Sequence, residues 1–383
     1  MPASGGAVPI ALMVTVAGSM RSTLAVGRFA AATAARLSAA SRAAGLEFNP
    51  VDSIDEALKW AEQNEPHSLL LDAGGGSLER ACLEVRAQVR HALVPIIALA
   101  PEVNELAFAE VFSCGGDDVV GIRASEPLTA RLRRLPVTPW ERPATSAEKT
   151  ALISASDRNR RIVLARVLGN AGYPIRFAVD MHETDRVAQD ASPRLVVIDT
   201  ELDGVQALIT RAAPRNPKTL WIVSTAPRHM RQCHAWLRDL PNAAVTDSFA
   251  PPENIVFLAN ELGRGKGNDK RASKRLLYGT MVSFRCAGRE EDDFGLSYNV
   301  SAGGLYVRSL APPVEDRVWL ELRPPRTERL VRLEGRVCWR RGYGPSSMAT
   351  VPPGFGIEIS DGSKADREAW VAGYKSFLDT IGE

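Results

Sequence analysis

The chain is short of cysteine. It has 5 in 383 residues, Cys82, Cys114, Cys233, Cys286 and Cys338, widely spread and without a C-x-x-C pair. That usage speaks against a disulfide scaffold or a zinc site and suits a reducing cytoplasm. Long apolar runs are missing too. No stretch of about 18 uncharged apolar residues occurs, so neither a transmembrane helix nor membrane insertion is expected. The formal net charge of +2 is too small for whole-protein attraction to nucleic acid or to an anionic membrane. Catalytic groupings are also wanting. No Ser-His-Asp, Cys-His or paired-carboxylate arrangement stands out, and Gly74–Gly76 are not followed by the Gly-Lys-Ser/Thr of a phosphate loop. His229, Cys233 and His234 fall at helical spacing but lack a fourth ligand, so an exposed helix face is expected there. The expectation is a protein that is not an enzyme and holds no cofactor.

What is there is ordinary globular composition, 45% hydrophobic and 24% charged, at a length that favours two or three domains of ~100–200 residues. Two stretches read as joints. One is PVTPWERPATSAE, Pro136 to Glu148, and the other is GRGKGND, Gly263 to Asp269. They divide the chain into units of 1–136, 148–262 and 270–383.

The first unit alternates short apolar runs with helical patterns. Strands are expected at Ile10–Val16, Ser68–Leu71, Pro95–Leu99 and Asp118–Ile122. Helices are expected over Thr23–Ala44, Ile54–Glu62, Leu78–Val89 and Val103–Phe112. The apolar start, with no Lys or Arg before it, reads as a buried strand rather than a signal peptide. The second unit repeats the plan, with strands at Thr150–Ser154, Arg194–Ile198, Leu220–Val223 and Ala244–Thr246. Its helices are expected over Arg158–Ala171, Glu183–Gln189, Arg228–Leu237 and Glu253–Leu262, with Asp157 as an N-cap. Strand-helix alternation predicts a doubly wound parallel sheet in each unit, and the recurrence suggests a tandem repeat.

The third unit changes character. Six Gly-punctuated alternating segments lie between Gly279 and Ile359, and they predict a small six-stranded antiparallel barrel with Trp339 in its core. A helix follows over about 364–381. Trp370, Val371, Tyr374, Phe377, Leu378 and Ile381 share one face of it, suited to covering the barrel.

The first two units resemble receiver domains of response regulators. HSLLLDAG sets Asp72 at a strand end, followed by VPIIALAP and CGGDDVVG; PRLVVIDTELDG sets Asp199 likewise, followed by LWIVSTAP and VTDSFAPPENI. The resemblance implies Asp72 and Asp199 as phosphoacceptors. Phosphoryl transfer to them needs a Mg²⁺ held by carboxylates. Where the family keeps an acidic pair after its first strand, this chain reads AGSM in the first unit and SASDRN, with Asp157 alone, in the second. The family's Lys is replaced by Ile122 and Ala250. Its Thr/Ser is replaced by Ala100 in the first unit and survives as Thr225 in the second. These losses favour a non-phosphorylated scaffold for protein partners.

The third unit resembles a PilZ domain, a family that binds cyclic di-GMP. KRASKR carries Arg271-x-x-x-Arg275 and YNVSAGGLYV carries Asn299-x-Ser301-x-x-Gly304, in the family's order and at about its distance. A ligand with two phosphates and two guanines calls for planar cations, short polar side chains and close backbone approach. The resemblance implies that Arg271 and Arg275 hold phosphate and guanine from a flexible arm. It implies that Asn299 and Ser301 hydrogen-bond the ligand, and that Gly304 permits a turn. From Arg264 to Arg275, six basic residues face one acid, which suits a dianion. A nucleic-acid arm is not expected, because the stretch has no aromatic to stack bases. An Arg just before R-x-x-x-R accompanies two stacked ligands in the family and an apolar residue accompanies one; here Lys270 stands between these cases.

The expected fold is therefore multidomain α/β plus β: two flavodoxin-like, receiver-type domains, then a six-stranded antiparallel PilZ barrel with a C-terminal helix. The expected function is a cytoplasmic cyclic di-GMP effector or adaptor that controls motility, pili or exopolysaccharide through protein partners of the receiver-like units. The alternatives are a phosphorylation-controlled response regulator with PilZ output and a nucleotide-independent adaptor.

Overall fold

A computed structural model describes residues 21–88, 90–136, 150–264, 273–344 and 351–382. The first sheet is built from β1 (Ser22–Val26), α1 (Ala31–Ala43), β2 (Glu47–Val51), α2 (Ile54–Gln63) and β3 (Pro66–Asp72). It continues with α3 (Leu78–Ala87), β4 (Ile96–Ala100), α4 (Glu105–Ser113), β5 (Asp118–Gly121) and α5 (Ser125–Arg134). Its five strands run in parallel in the order β2-β1-β3-β4-β5.

The second unit comprises β6 (Ala151–Ser154), α6 (Arg158–Asn170), β7 (Ile175–Ala178), α7 (Met181–Ala191) and β8 (Leu195–Asp199). Then come α8 (Val205–Ala212), β9 (Leu220–Thr225), α9 (Met230–Leu237), β10 (Ala243–Asp247) and α10 (Asn254–Arg264). The order β7-β6-β8-β9-β10, again all parallel, reproduces the first sheet strand for strand. Both are flavodoxin-like. The central strands of both are buried runs such as Ile96–Ala100 and Leu195–Asp199, as expected for strands covered on both faces. Asp157 caps α6 by accepting from the Arg160 N–H at 2.8 Å.

One expectation in the first unit is corrected. The expected strand Ile10–Val16 lies outside the described residues. The first described strand is Ser22–Val26, and the helix expected from Thr23 begins only at Ala31. Thr23 to Val26 is fully interior, paired on both sides by β2 and β3, and tertiary burial decides the matter against an Ala-rich flank.

The third unit carries β11 (Leu276–Leu277), β12 (Met281–Cys286), β13 (Asp293–Ser301), β14 (Gly304–Arg308), β15 (Arg317–Leu322), β16 (Val331–Arg341) and β17 (Gly354–Gly362), then α11 (Lys364–Gly382). Strands β12 to β17 close through antiparallel β13–β14, β14–β17, β17–β16, β16–β15, β15–β12 and β12–β13 ladders into a six-stranded barrel, with β11 added on β13. Closure leaves no open edge among the six. The core holds Val282, Phe284, Val300, Val318, Leu320, Val337 and Phe355, and Trp370 and Tyr374 of α11 join it. Val371, Phe377 and Leu378 pack beside them as expected; the Ile381 side chain is outside the described set.

The barrel does not hang from the parallel sheets. Its Leu296 packs with Phe108, Phe112 and Val119 of the first unit, and its Leu310 and Tyr343 enter that unit's core. Buried charges fix the junction. Asp117 accepts from Arg86 at 2.6 Å, from Arg166 of α6, and from the Tyr343 hydroxyl at 3.3 Å, so one carboxylate touches all three units. Burial pushes its carboxyl up, but Arg166 and Arg86 outweigh that and hold it below the usual range. Glu253 receives Arg166 at 2.6 Å and Arg308 of β14 at 2.8 Å. Among the described residues, no helix is long and apolar enough to cross a membrane.

Candidate functional site

The site expected from the two motifs is assembled by strand register. Leu276 pairs with Val300 and Leu277 with Asn299. The ladder ends there: Arg275, the second arginine of R-x-x-x-R, is exposed and directly precedes Leu276, whose partner Val300 lies between Asn299 and Ser301. Arg271 and Lys270 lie outside the described residues. The arm's base is held from α11, whose Tyr374 hydroxyl donates to the Lys274 carbonyl at 2.7 Å.

The hairpin is held at three points. Ser301 Oγ donates to the Gly304 carbonyl at 3.1 Å, Trp370 Nε1 donates to Ala302 O at 3.2 Å, and Ile359 N donates to Gly303 O at 3.0 Å. Gly304 is needed for a reason other than the expected turn. The turn itself is Ala302–Gly303, and Gly304 begins β14. A Cβ on Gly304 would lie 2.0 Å from the Ile357 carbonyl oxygen of β17, so the residue is small because backbone presses on it.

Alternation along the strands decides which side chains face outward. Val300, Leu305, Val307 and Ile357 are in the barrel core, so Asn299, Tyr306 and Gly356 lie on the opposite face of the barrel wall, where Asn299 and Tyr306 are buried. In register, Asn299 pairs Tyr306, Tyr306 pairs Gly356, and Gly356 pairs Trp339. The next row is Ser301, Gly304, Glu358 and Arg336. In the first row the Tyr306 ring stands between Asn299 and Gly356 and meets the Trp339 indole, centroids 5.6 Å apart. In the second, Arg336 sets Nη2 on Glu358 at 2.5 Å, and this contact holds the Glu358 carboxyl below its usual range. Asn299 is only 3% exposed and is paired with Leu277 of the two-residue β11.

Trp339 was expected in the core and is instead 47% exposed. The register of β16 shifts between Val337 and Trp339, and that irregularity puts Trp339 out of phase with Val331, Leu333 and Val337. It also places an indole on the ligand face, together with Tyr306, which the motifs do not include. Their signal was faint, a lone aromatic in each of two strands.

The receiver-type positions are arranged differently. Asp72 and Asp199 end β3 and β8 as expected, and Ala100 and Thr225 end β4 and β9. Asp72 accepts from Gly74 N at 2.9 Å. Asp199 is occupied by a cation of the protein's own: Arg160 Nε is 3.1 Å from Oδ2, while Arg160 also donates to Ser248 O at 2.7 Å and to Ser224 Oγ. Burial pushes the Asp199 carboxyl up despite Arg160. Thr225 is engaged by Thr200 at 2.8 Å. With β1 at Ser22–Val26, the residues after it are Gly27, Arg28 and Phe29, which again supply no acid. Among the described residues, no group of three or more His, Cys, Asp or Glu converges as metal ligands would. In the expected helix face at 229–234, Cys233 is in fact core, 3% exposed.

Comparison with known proteins follows these lines. The PilZ domain family model matches residues 269–374. No curated protein matches the chain. Among solved structures, it is similar to the Bacillus subtilis inhibitor of motility at 23% identity over 29% of this chain, TM-score 0.24, and spans 52% of that protein's length. It is similar to a response regulator in red-light signalling of R. palustris at 15% identity, over 32% of this chain and 99% of that one, TM-score 0.27. The PilZ domain of CeSA from a cellulose-synthesizing bacterium matches at 15% identity over 28% of this chain and 99% of its own length, TM-score 0.21. Residues 269–374 are a PilZ domain, joined to two receiver-like units.

Proposed function

We propose that the chain is a non-enzymatic effector that binds cyclic di-GMP on the outer face of its barrel. The observation that supports the reading is the β11–β13 register, which pairs the two residues directly after Arg275 with Val300 and Asn299 inside a PilZ domain. Arg275 and Arg271 grip phosphate oxygens and guanine edges with forked N–H donors. Asn299 and Ser301 supply short polar contacts. Trp339, 47% exposed, offers an indole for stacking a guanine. The units divide at 1–136, 148–262 and 270–383, and the first two serve as surfaces for protein partners. Because the junction is made of buried ion pairs and shared core, binding is read in the arm and on the barrel face rather than as a swing of whole units. The output falls among motility, pili and exopolysaccharide.

Calorimetric titration of the full chain with cyclic di-GMP tests the site. Arg271→Ala and Arg275→Ala should each weaken binding by ~2 kcal/mol, the scale of a lost charge-assisted contact. Unchanged affinity in both variants rejects the assignment.

A further inference from the structure

We propose that α10 of the second receiver-like unit is part of the cyclic di-GMP receptor, and that Phe257 is a positioning residue for the ligand face. The proposal rests on the messenger reading above and names what regulates that site.

Four rings form an unbroken chain from the receiver-like unit to the ligand face. Phe257 of α10 meets Tyr298 edge-on, centroids 6.2 Å apart at 87°. Tyr298 meets Tyr306 at 6.2 Å and 71°, and Tyr306 meets Trp339 at 5.6 Å and 45°. The first three are buried and the last is open. The first two contacts are edge-to-face and directional, and the third is a tilted pair in contact, so each ring restricts the tilt of the next.

Tyr298 sits where this restriction matters most. Ser297 pairs Val307 and Asn299 pairs Tyr306, which leaves Tyr298 as the extra residue of a bulge directly before Asn299. A bulge aims its neighbours, and this one is anchored outside the barrel. The Tyr298 hydroxyl donates to the Glu253 carbonyl at 2.7 Å, one turn before Phe257. Glu253 is itself fixed by Arg166 and Arg308. The receiver-like unit therefore grips the bulge through both the ring and the hydroxyl of Tyr298. Asn299 takes its aim from that grip, and Trp339 its tilt.

The test is a double-mutant cycle on the full chain, read by calorimetry with cyclic di-GMP. Phe257→Leu keeps an apolar side chain of similar size but removes the ring edge. It should weaken binding roughly three- to tenfold, the range of one aromatic edge contact. In a Trp339→Ala background the same substitution should cost clearly less, because the two act through one chain of rings. Phe257→Met reads the same contact if Phe257→Leu does not give a folded chain. Unchanged affinity in the folded variant, or an equal factor in both backgrounds, overturns the proposal. If the wild type binds, Arg275→Ala weakens binding and Phe257→Leu has no effect, the messenger reading stands and this one falls. A wild type that does not bind removes both.

Discussion

Arg131 of α5 grips Asp293 of the barrel in a fork, its Nη1 lying 2.8 Å from Oδ1 and 2.9 Å from Oδ2, while its Nε holds Asp118 at 2.8 Å. The guanidinium is fully buried, and its Nη2 donates to Phe294 O at 2.9 Å. Burial, helped by the Asp293 charge, pushes the Asp118 carboxyl above its usual range even with Arg131 beside it. Two carboxylates of different units are thus kept together by one cation. Arg131→Met should leave both without it and cost about 3–5 kcal/mol in chemical denaturation, the scale of a broken buried pair. Asp72→Asn, away from the junction, should leave the midpoint nearly unchanged. Equal midpoints for Arg131→Met and the wild type would mean the fork does not weld the units.

The second expectation concerns phosphotransfer. Arg160 already pairs with the Asp199 carboxylate, and Asp157 spends its carboxylate capping α6. Acetyl phosphate with Mg²⁺ should therefore leave Asp72 unlabelled and label Asp199 weakly at most. Stoichiometric labelling that disappears in Asp199→Asn or Asp72→Asn, followed by mass spectrometry, would restore the phosphorylation-controlled reading.

Stoichiometry is a third point. Lys270 brings charge to the arm but not the planar guanidinium that stacks on a guanine and grips its edge. An exposed charge is screened within ~8 Å at physiological salt. One cyclic di-GMP per chain is expected at moderate salt, with a shift toward two in Lys270→Arg. A wild-type calorimetric stoichiometry near two would show that ammonium charge suffices.

Acid sensitivity has a defined source in the first unit. His67 on β3 is pushed down from 6.5 to about 4, first by burial and then by Arg21. The fold keeps the ring neutral while the unfolded chain takes a proton, so stability falls as pH drops from about 6.5 to about 4. His67→Gln should flatten the pH dependence of the urea midpoint in that window. An identical slope in wild type and variant would assign the loss to other groups.

What the sequence revealed follows the strength of its periodic signals. The buried runs Ile96–Ala100 and Leu195–Asp199 have one reading and were legible. Strand β2, EFNPV, is a half-exposed edge carrying Pro50, and β7, IRFA, is an edge of four residues; neither shows alternation or a continuous apolar run. Strand β1 is five residues beside an Ala-rich helix, and the helix pattern swallowed it. Helices α5 and α8 were passed over. In the site, Arg275, Asn299, Ser301 and Gly304 were legible because a motif names them. Trp339 was misread because one shift of register reverses the faces of a strand, and no residue type announces such a shift. The contacts of Asp117 with Arg166 and Tyr343 join positions far apart in the chain, which local patterning cannot couple.

The crowding at Gly304 has a bearing on how the signature is interpreted elsewhere. With 2.0 Å between a Cβ there and the Ile357 oxygen, any larger residue would part β14 from β17 and open the barrel. A descendant of this chain that had stopped responding to the nucleotide would still be obliged to keep the glycine, merely to fold. Its persistence testifies to architecture and is silent about recognition. Lapsed receptors should betray themselves first at Arg271, Arg275 and Asn299, whose loss leaves the barrel closed.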